Sequence, residues 1–308
     1  MPIQNPKSKI QNLAGLFFGT LTGLASLIIV AMVFIILGNV VLHGAGRISL
    51  EFLTHSPEMG MTEGGIFPAI FGTFSLVVLM TLAVVPLGVA TAVYMHEYAP
   101  KRSRLVKIVR LAIQNLAGVP AIVFGLFGLG FFIEFVGRGI DRGLCGGELN
   151  FGQPAILWAA LTMALLTLPT VVVASEEALR AIPQSYREAA YAMGATRWQV
   201  IRRVVLPQAV GGILTGAILA VSRGAGEVAP VMFTVAAYFL PHLPARLTDQ
   251  FMELGYHVYV MTTQSPNVEE TKPILYATVL VLLMLTFALN FTAIMIRARI
   301  RRRLREGR

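Results

Sequence analysis

Charge is what this chain has least of. Only 13% of its 308 residues are Asp, Glu, Lys or Arg, where soluble domains carry about a quarter. Hydrophobic residues make up 56%, and a water-facing surface cannot be assembled from such a mixture. The single cysteine, Cys145, excludes an intrachain disulfide and any CxxC metal or redox site. No Gly-Lys pair occurs, so the usual phosphate loop of nucleotide-binding chains is missing. The alternating pattern of a membrane barrel is absent, as is the internal repeat that marks many secondary transporters.

What the chain does have is six long apolar runs, near residues 13–42, 66–95, 111–136, 155–174, 209–239 and 274–296. Each satisfies the roughly 20-residue requirement for crossing hydrocarbon as a helix, which satisfies its own backbone polar groups. The expected fold class is all-α and polytopic, with six transmembrane helices. The first run follows Lys7 and Lys9 and is longer than the roughly 7–15 apolar residues of a signal peptide. It reads as a retained membrane anchor.

Lysine and arginine set the orientation. Nineteen of the 25 lie in the two termini and in the segments around 101–110 and 180–203; five lie in the alternate loops, and Arg223 lies inside a span. Positive residues stay on the cytoplasmic side, so both termini are expected there. The net charge of +9 thus reports topology and gives no reason to expect nucleic acid as a partner. The expected division is a tail over 1–12, a first helix over 13–42, a membrane core over 64–297 with a cytoplasmic loop at 176–207, and a basic tail over 298–308. Pro86, Pro120, Pro169 and Pro230 fall inside spans, a frequency more typical of a transporter or channel than of a simple anchor.

The cytoplasmic stretch "SYREAAYAMGATRWQVIRRVVLPQ", residues 185–208, differs from the runs around it. Ser185 and Glu188 have the spacing of an S-x-x-E capping box, and Thr196 and Gln199 that of a second. Gly194 stands where a left-handed helix cap belongs. Tyr186, Ala189, Ala190 and Met193 recur at helical spacing on one face. The spacing predicts two short helices meeting at a glycine, the second leading into the membrane. A helix lying on lipid would present bulky apolar residues; the alanines here instead suit close approach by a protein partner. Glu188-Ala189-Ala190, Gly194 and Val204-Val205-Leu206-Pro207 resemble the loop signature of permease subunits of ATP-binding-cassette importers, with valine for isoleucine before the Leu-Pro pair. The resemblance implies a type I importer permease fold. It also implies an ATPase subunit docked on Glu188, Ala189, Ala190, Gly194, Leu206 and Pro207, with ATP and magnesium held by that partner. No cofactor, metal ligand set or catalytic residue is expected on this chain, which reads as a transport subunit and not an enzyme.

In "AVSRGAGEVAPVMFT", residues 220–234, Arg223 and Glu227 are four apart and are expected to share a helix face within the fifth span. An arginine at membrane depth costs at least about 2.5–3.5 kcal/mol and normally marks a pathway. Its planar fork suits carboxylate or phosphate oxygens. Asn115, Thr73 and Ser75 are candidate polar groups for the same path, although hydroxyls in spans commonly serve packing. An internal ion pair that merely braces helices is the plainer alternative. The segments "GGIFPAIFGT", "NLAGVPAIVFGLFGL", "SRGAGEVAPVMFT" and "YHVYVMTTQ" are similar to phosphate-specific permeases of the PstA type. In that family the matching arginine and glutamate are implicated in phosphate passage; Val228 stands where a threonine is expected. The resemblance implies a sister permease of the PstC type, a homodimeric ATPase, an extracytoplasmic phosphate-binding protein received by loops such as 241–272, and a place in the lipid of a bacterial plasma (inner) membrane. An importer of another oxyanion (phosphonate, sulfate or molybdate) and an ion-coupled secondary anion transporter remain as alternatives.

Overall fold

A computed structural model describes residues 6–58, 63–100, 102–144, 146–234, 237, 239–265 and 268–306. Cys145 lies outside the described residues. Six helices among them are long and apolar enough to cross a membrane. Helix α1 (Pro6–Gly44) starts the chain, so helix already occupies much of the stretch expected as a tail. The short α2 (Leu50–Thr54), capped by the Ser49 side chain, leads to a two-stranded antiparallel hairpin of β1 (Pro57–Glu58) and β2 (Glu63–Gly64) in which Pro57 faces Gly64. The second span, α3 (Phe67–Val93), continues through one wide turn, Tyr94–Tyr98.

The third span departs from expectation. It was expected as one run over 111–136, but the stretch long and apolar enough to cross is Ala121–Leu144, and the residues before it belong to a separate helix. Helix α4 (Arg104–Leu116) ends before Pro120, and α5 (Ala121–Phe127) begins after it, continuing through Gly128–Gly137 into α6 (Arg138–Leu144). Proline cannot donate the required hydrogen bond, and it pushes the preceding residue out of the helical region. With Gly118 just before it, the break is encoded locally. Pro86 and Pro169, by contrast, lie inside the continuous helices α3 and α7 (Ile156–Arg180).

After α7 come α8 (Gln184–Ala192) and α9 (Arg197–Val200). The latter passes through a wide turn, Ile201–Val205, into α10 (Leu206–Gly224). The fifth span therefore starts earlier than residue 209 and its helix stops at Gly224 instead of reaching 239. A single turn, α11 (Val231–Thr234), follows, then α12 (Leu254–Thr263) and the long α13 (Val268–Glu306), which carries helix through most of the expected basic tail.

The core lies where α3, α7 and α10 meet, around Leu76, Met80, Val84, Met163, Leu166, Val171, Ala220 and Val221. Small residues set the spacing. Gly216 packs on Ala174 and Gly88 on Val171, so closely that a methyl group at either glycine would come within 2.8 Å of a side-chain carbon. In hydrocarbon, helices associate through such close packing rather than by hydrophobic exclusion. Helix α1 stands largely apart. Its residues from Leu16 to Ile36 leave an apolar surface exposed, and it meets α13 near Val40 and at Gly44, which abuts the backbone of Tyr276.

Candidate functional site

The break between α4 and α5 and the end of α10 lie side by side. Leu116, Val119 and Ala121, flanking the first break, pack on the same cluster as Val221, Ala225 and Val231, flanking the second. Gly125 of α5 accommodates Ala229, Pro230 and Phe233, and Gly128 accommodates Thr162 and Thr234. Interrupted helices at membrane depth survive only where protein or water covers the freed backbone. Here turns recover part of it. Gly226 N–H donates to the Arg223 carbonyl (3.3 Å), and Val231 and Met232 N–H both donate to the Val228 carbonyl (3.0 and 3.1 Å).

Arg223 occupies the last turn of α10, and Glu227 lies beyond its end. The expectation that they share a helix face is corrected: α10 ends at Gly224, where Gly224 and Gly226 weaken the helix. The chain nevertheless folds back enough for a loose ion pair, Arg223 Nε to Glu227 Oε1 at 3.5 Å, with the side chains 39% and 26% exposed. One long contact leaves most of the guanidinium's five donors accessible to another oxyanion. Next to it, Asn290 Nδ2 of α13 reaches Ser222 Oγ at 3.4 Å, while the buried Asn290 Oδ1 has no hydrogen-bond partner among the described residues. Asn290 escaped the sequence reading, although an asparagine inside the last apolar run was a legible signal.

Asn115 is exposed in the last turn of α4, at the edge of the first break. Thr73 is buried and structural in its contacts. Its hydroxyl donates to the Ala69 carbonyl (2.8 Å) and accepts from Leu254 N–H (2.9 Å), fastening the start of α12 to α3. That start is also where Gly255 meets Val228, with room for no Cβ, so Thr73 is linked to the Arg223–Glu227 turn through α12. Glu253 caps α12 by accepting from Gly255 N–H (2.8 Å) and Tyr256 N–H (2.6 Å). Burial pushes its carboxyl up to about 7, against the opposing pull of those hydrogen bonds. The 241–272 segment is thus no simple loop; its middle is packed into the bundle.

On the cytoplasmic side the glycine elbow forms. Gly194 has φ +79°, and the Gly194 and Ala195 N–H groups donate to the Tyr191 and Ala190 carbonyls (2.9 and 3.1 Å), the paired bonds of a Schellman cap. The second capping box is present: Gln199 N–H donates to Thr196 Oγ1 (3.4 Å) and Thr196 N–H to Gln199 Oε1 (2.8 Å). The first is not. Helix α8 begins at Gln184 behind Pro183, with no side-chain cap, because proline pre-sets the entry and needs no donor there. Glu188, Ala189 and Gly194 are exposed, as are Tyr186 and Met193. Ala190 instead turns inward, half-buried against the cluster of Val200, Ile201 and Val205. Leu206 packs on that cluster too, and Pro207 opens α10. Arg110 of α4 and Arg180 both pair with Glu176 at the inner end of α7, Arg180 at 3.5 Å.

The descriptive model for "Binding-protein-dependent transport system inner membrane component" matches residues 84–306. A probable ABC transporter permease protein of Bacillus subtilis is 31% identical over 79% of this chain and 81% of its own length. The phosphate transport system permease protein PstA of Mycobacterium leprae is 35% identical over 76% and 72%. PstA 1 of Mycobacterium tuberculosis is 38% identical over 59% of this chain and 56% of its own length. Among solved structures, a chain of a bacterial ABC transporter involved in alginate import superposes with TM-score 0.64 at 18% identity, over 95% of this chain and 99% of that one. A chain of the MetNI methionine ABC transporter gives 0.53 at 20% identity, over 77% and 94%. These last two likenesses are of fold. With its multi-pass helical core, helix breaks and exposed elbow, the chain belongs to the family of binding-protein-dependent transport system inner membrane components.

Proposed function

We propose that this chain is the permease subunit of an ATP-driven importer and forms half of the transmembrane path for inorganic phosphate. The observation that carries the reading is Arg223, exposed at the break where α10 ends, with only a loose 3.5 Å counter-charge. Relatives named as phosphate permeases, such as that of Mycobacterium leprae, support the choice of cargo. Glu227 partly neutralises the arginine, and weak binding is what passage requires. The second half of the path is a sister permease of the PstC type. A homodimeric ATPase seats on the elbow, and an extracytoplasmic phosphate-binding protein delivers the cargo to the outer loops. The complex resides in the bacterial plasma (inner) membrane.

Energetics favour an external motor. Moving a dianion into a negative interior costs about 4.6 kcal/mol per 100 mV, and a thousandfold concentration step adds about 4 kcal/mol. A passive pore with this arginine would leak phosphate outward. The test is uptake of radiolabelled phosphate by vesicles carrying the assembled complex and its binding protein, with and without ATP on the cytoplasmic face. ATP-dependent accumulation that excess sulfate or phosphonate leaves intact is the expected result. Accumulation by this chain alone, driven by an ion gradient, would refute the importer reading.

A further inference from the structure

Besides its apolar packing, the elbow is fixed to the bundle by a cluster of polar contacts around Glu97. Glu97 ends the second span, and its carboxylate accepts from Arg187 of α8 at Nη2 (2.7 Å) and Nε (3.3 Å). The two side chains are 8% and 7% exposed. The rest of the same fork is also spoken for: Nη1 donates to the Ile182 carbonyl (2.8 Å), and Nη2 donates also to the Leu179 carbonyl at the end of α7 (3.0 Å). From the elbow's other arm, Arg197 donates to the Glu97 carbonyl and lies 5.1 Å above the Tyr98 ring. His96 Nε2 stands 3.9 Å from the same carboxylate. Both arms of the elbow therefore hold the inner end of the second span, and Arg187 ties in the fourth.

Stability alone does not explain such a joint. A buried ion pair is often no better than an apolar replacement of similar volume, whereas a planar fork bound at several points fixes orientation. What it orients is a rod. From Tyr98 back to Phe67 the second span runs without interruption. About 27 Å up that rod by helical rise, Met80 packs against Gly224, so closely that a Cβ there would lie 2.5 Å from the Met80 sulfur. Gly224 is the neighbour of Arg223. Contiguous packed elements of this kind carry displacement between distant sites.

We propose that the Arg187–Glu97 pair is the coupling joint of the transporter. It makes the elbow and the second span one rigid body, so that displacement of the elbow by the ATPase shifts Met80 against Gly224 and reorients Arg223. The inference rests on the importer reading above. Arg187 and Glu97 act as positioning residues, since neither touches cargo or nucleotide.

The test measures phosphate delivered per ATP hydrolysed by the full complex in vesicles for Arg187→Gln, Glu97→Gln and Arg187→Lys. Both glutamine variants are expected to assemble and hydrolyse ATP while that ratio falls about fivefold or more. Arg187→Lys, which keeps the charge but loses the fork, should fall in between. A residue serving only the fold would lower uptake and hydrolysis together with complex yield and leave the ratio unchanged. An unchanged ratio in both glutamine variants overturns the proposal, as does failure of both to assemble, which would assign the pair to folding. A wild-type complex that moves no phosphate with ATP overturns the importer reading itself; wild-type uptake with normal ratios in the variants overturns only the joint.

Discussion

Replacing Arg223 by glutamine keeps an amide donor at the break but removes the charge and most of the donors. The wild-type guanidinium makes one 3.5 Å contact, to Glu227, and is 39% exposed, so its capacity for a passing oxyanion is largely unspent. A hydrogen bond to a charged group contributes about 1.5–3 kcal/mol net. Losing one such contact in the rate-limiting passage state corresponds to a roughly ten- to hundredfold fall in uptake. ATP hydrolysis should survive, because Arg223 is at the far end of a helical stretch that begins at Arg197, about 39 Å away by helical rise. Uptake of radiolabelled phosphate and ATP turnover, followed together in vesicles holding the assembled complex, report both quantities. Arg223→Lys retains the charge without the planar fork and should lose less than the glutamine variant. Glu227→Gln should act in the opposite sense, strengthening phosphate binding and slowing its release. Wild-type uptake by Arg223→Gln would refute the assignment of Arg223 to the path.

Three further outcomes are expected. Gly194 has φ +79° and, among the described residues of this chain, no atom within 4 Å of an added Cβ, so Gly194→Ala tests backbone strain without a clash inside the chain. It should destabilise the elbow by about 1–2 kcal/mol, with Gly194→Asn milder, as seen in the amount of ATPase that copurifies. Ala189→Trp, on the exposed side of α8, should uncouple or release the ATPase while the permease still folds; normal copurification and transport would return α8 to the lipid surface. Ala190 is a poorer probe, since its side chain packs inward. For Glu253, burial holds the folded carboxyl at about 7 against an ordinary 4.5. Between those values the folded chain keeps a proton that the unfolded chain releases, so stability should decline by at most about 3 kcal/mol as pH rises through that window and level off above it. Thermal unfolding across pH 4 to 8 checks this, and Glu253→Gln should flatten the profile.

Span count and the elbow were legible in the residues, because each depends on local composition. Apolar length specifies a crossing helix, and Gly194 with Thr196 and Gln199 specifies a turn whose hydrogen bonds close within a few residues. The S-x-x-E spacing misled, since Pro183 already serves as the entry to α8. The breaks were half-legible. Pro120 and Pro230 have the same chemistry as Pro86 and Pro169, yet only the first two coincide with interruptions, where segments of the other break pack into the gap.

What the sequence determined by itself, then, was a six-span membrane chain with a glycine elbow before the fifth span and an arginine within that span. Only tertiary structure decided that Arg223 and Glu227 meet across a turn instead of along a helix, that Thr73 serves α12, and that Arg187 finds Glu97 ninety residues away. The reason is physical. Helix formation and insertion into hydrocarbon are set by neighbours along the chain, whereas a buried charge acquires its partner only when separate helices pack, and nothing in the local pattern records which of them will touch.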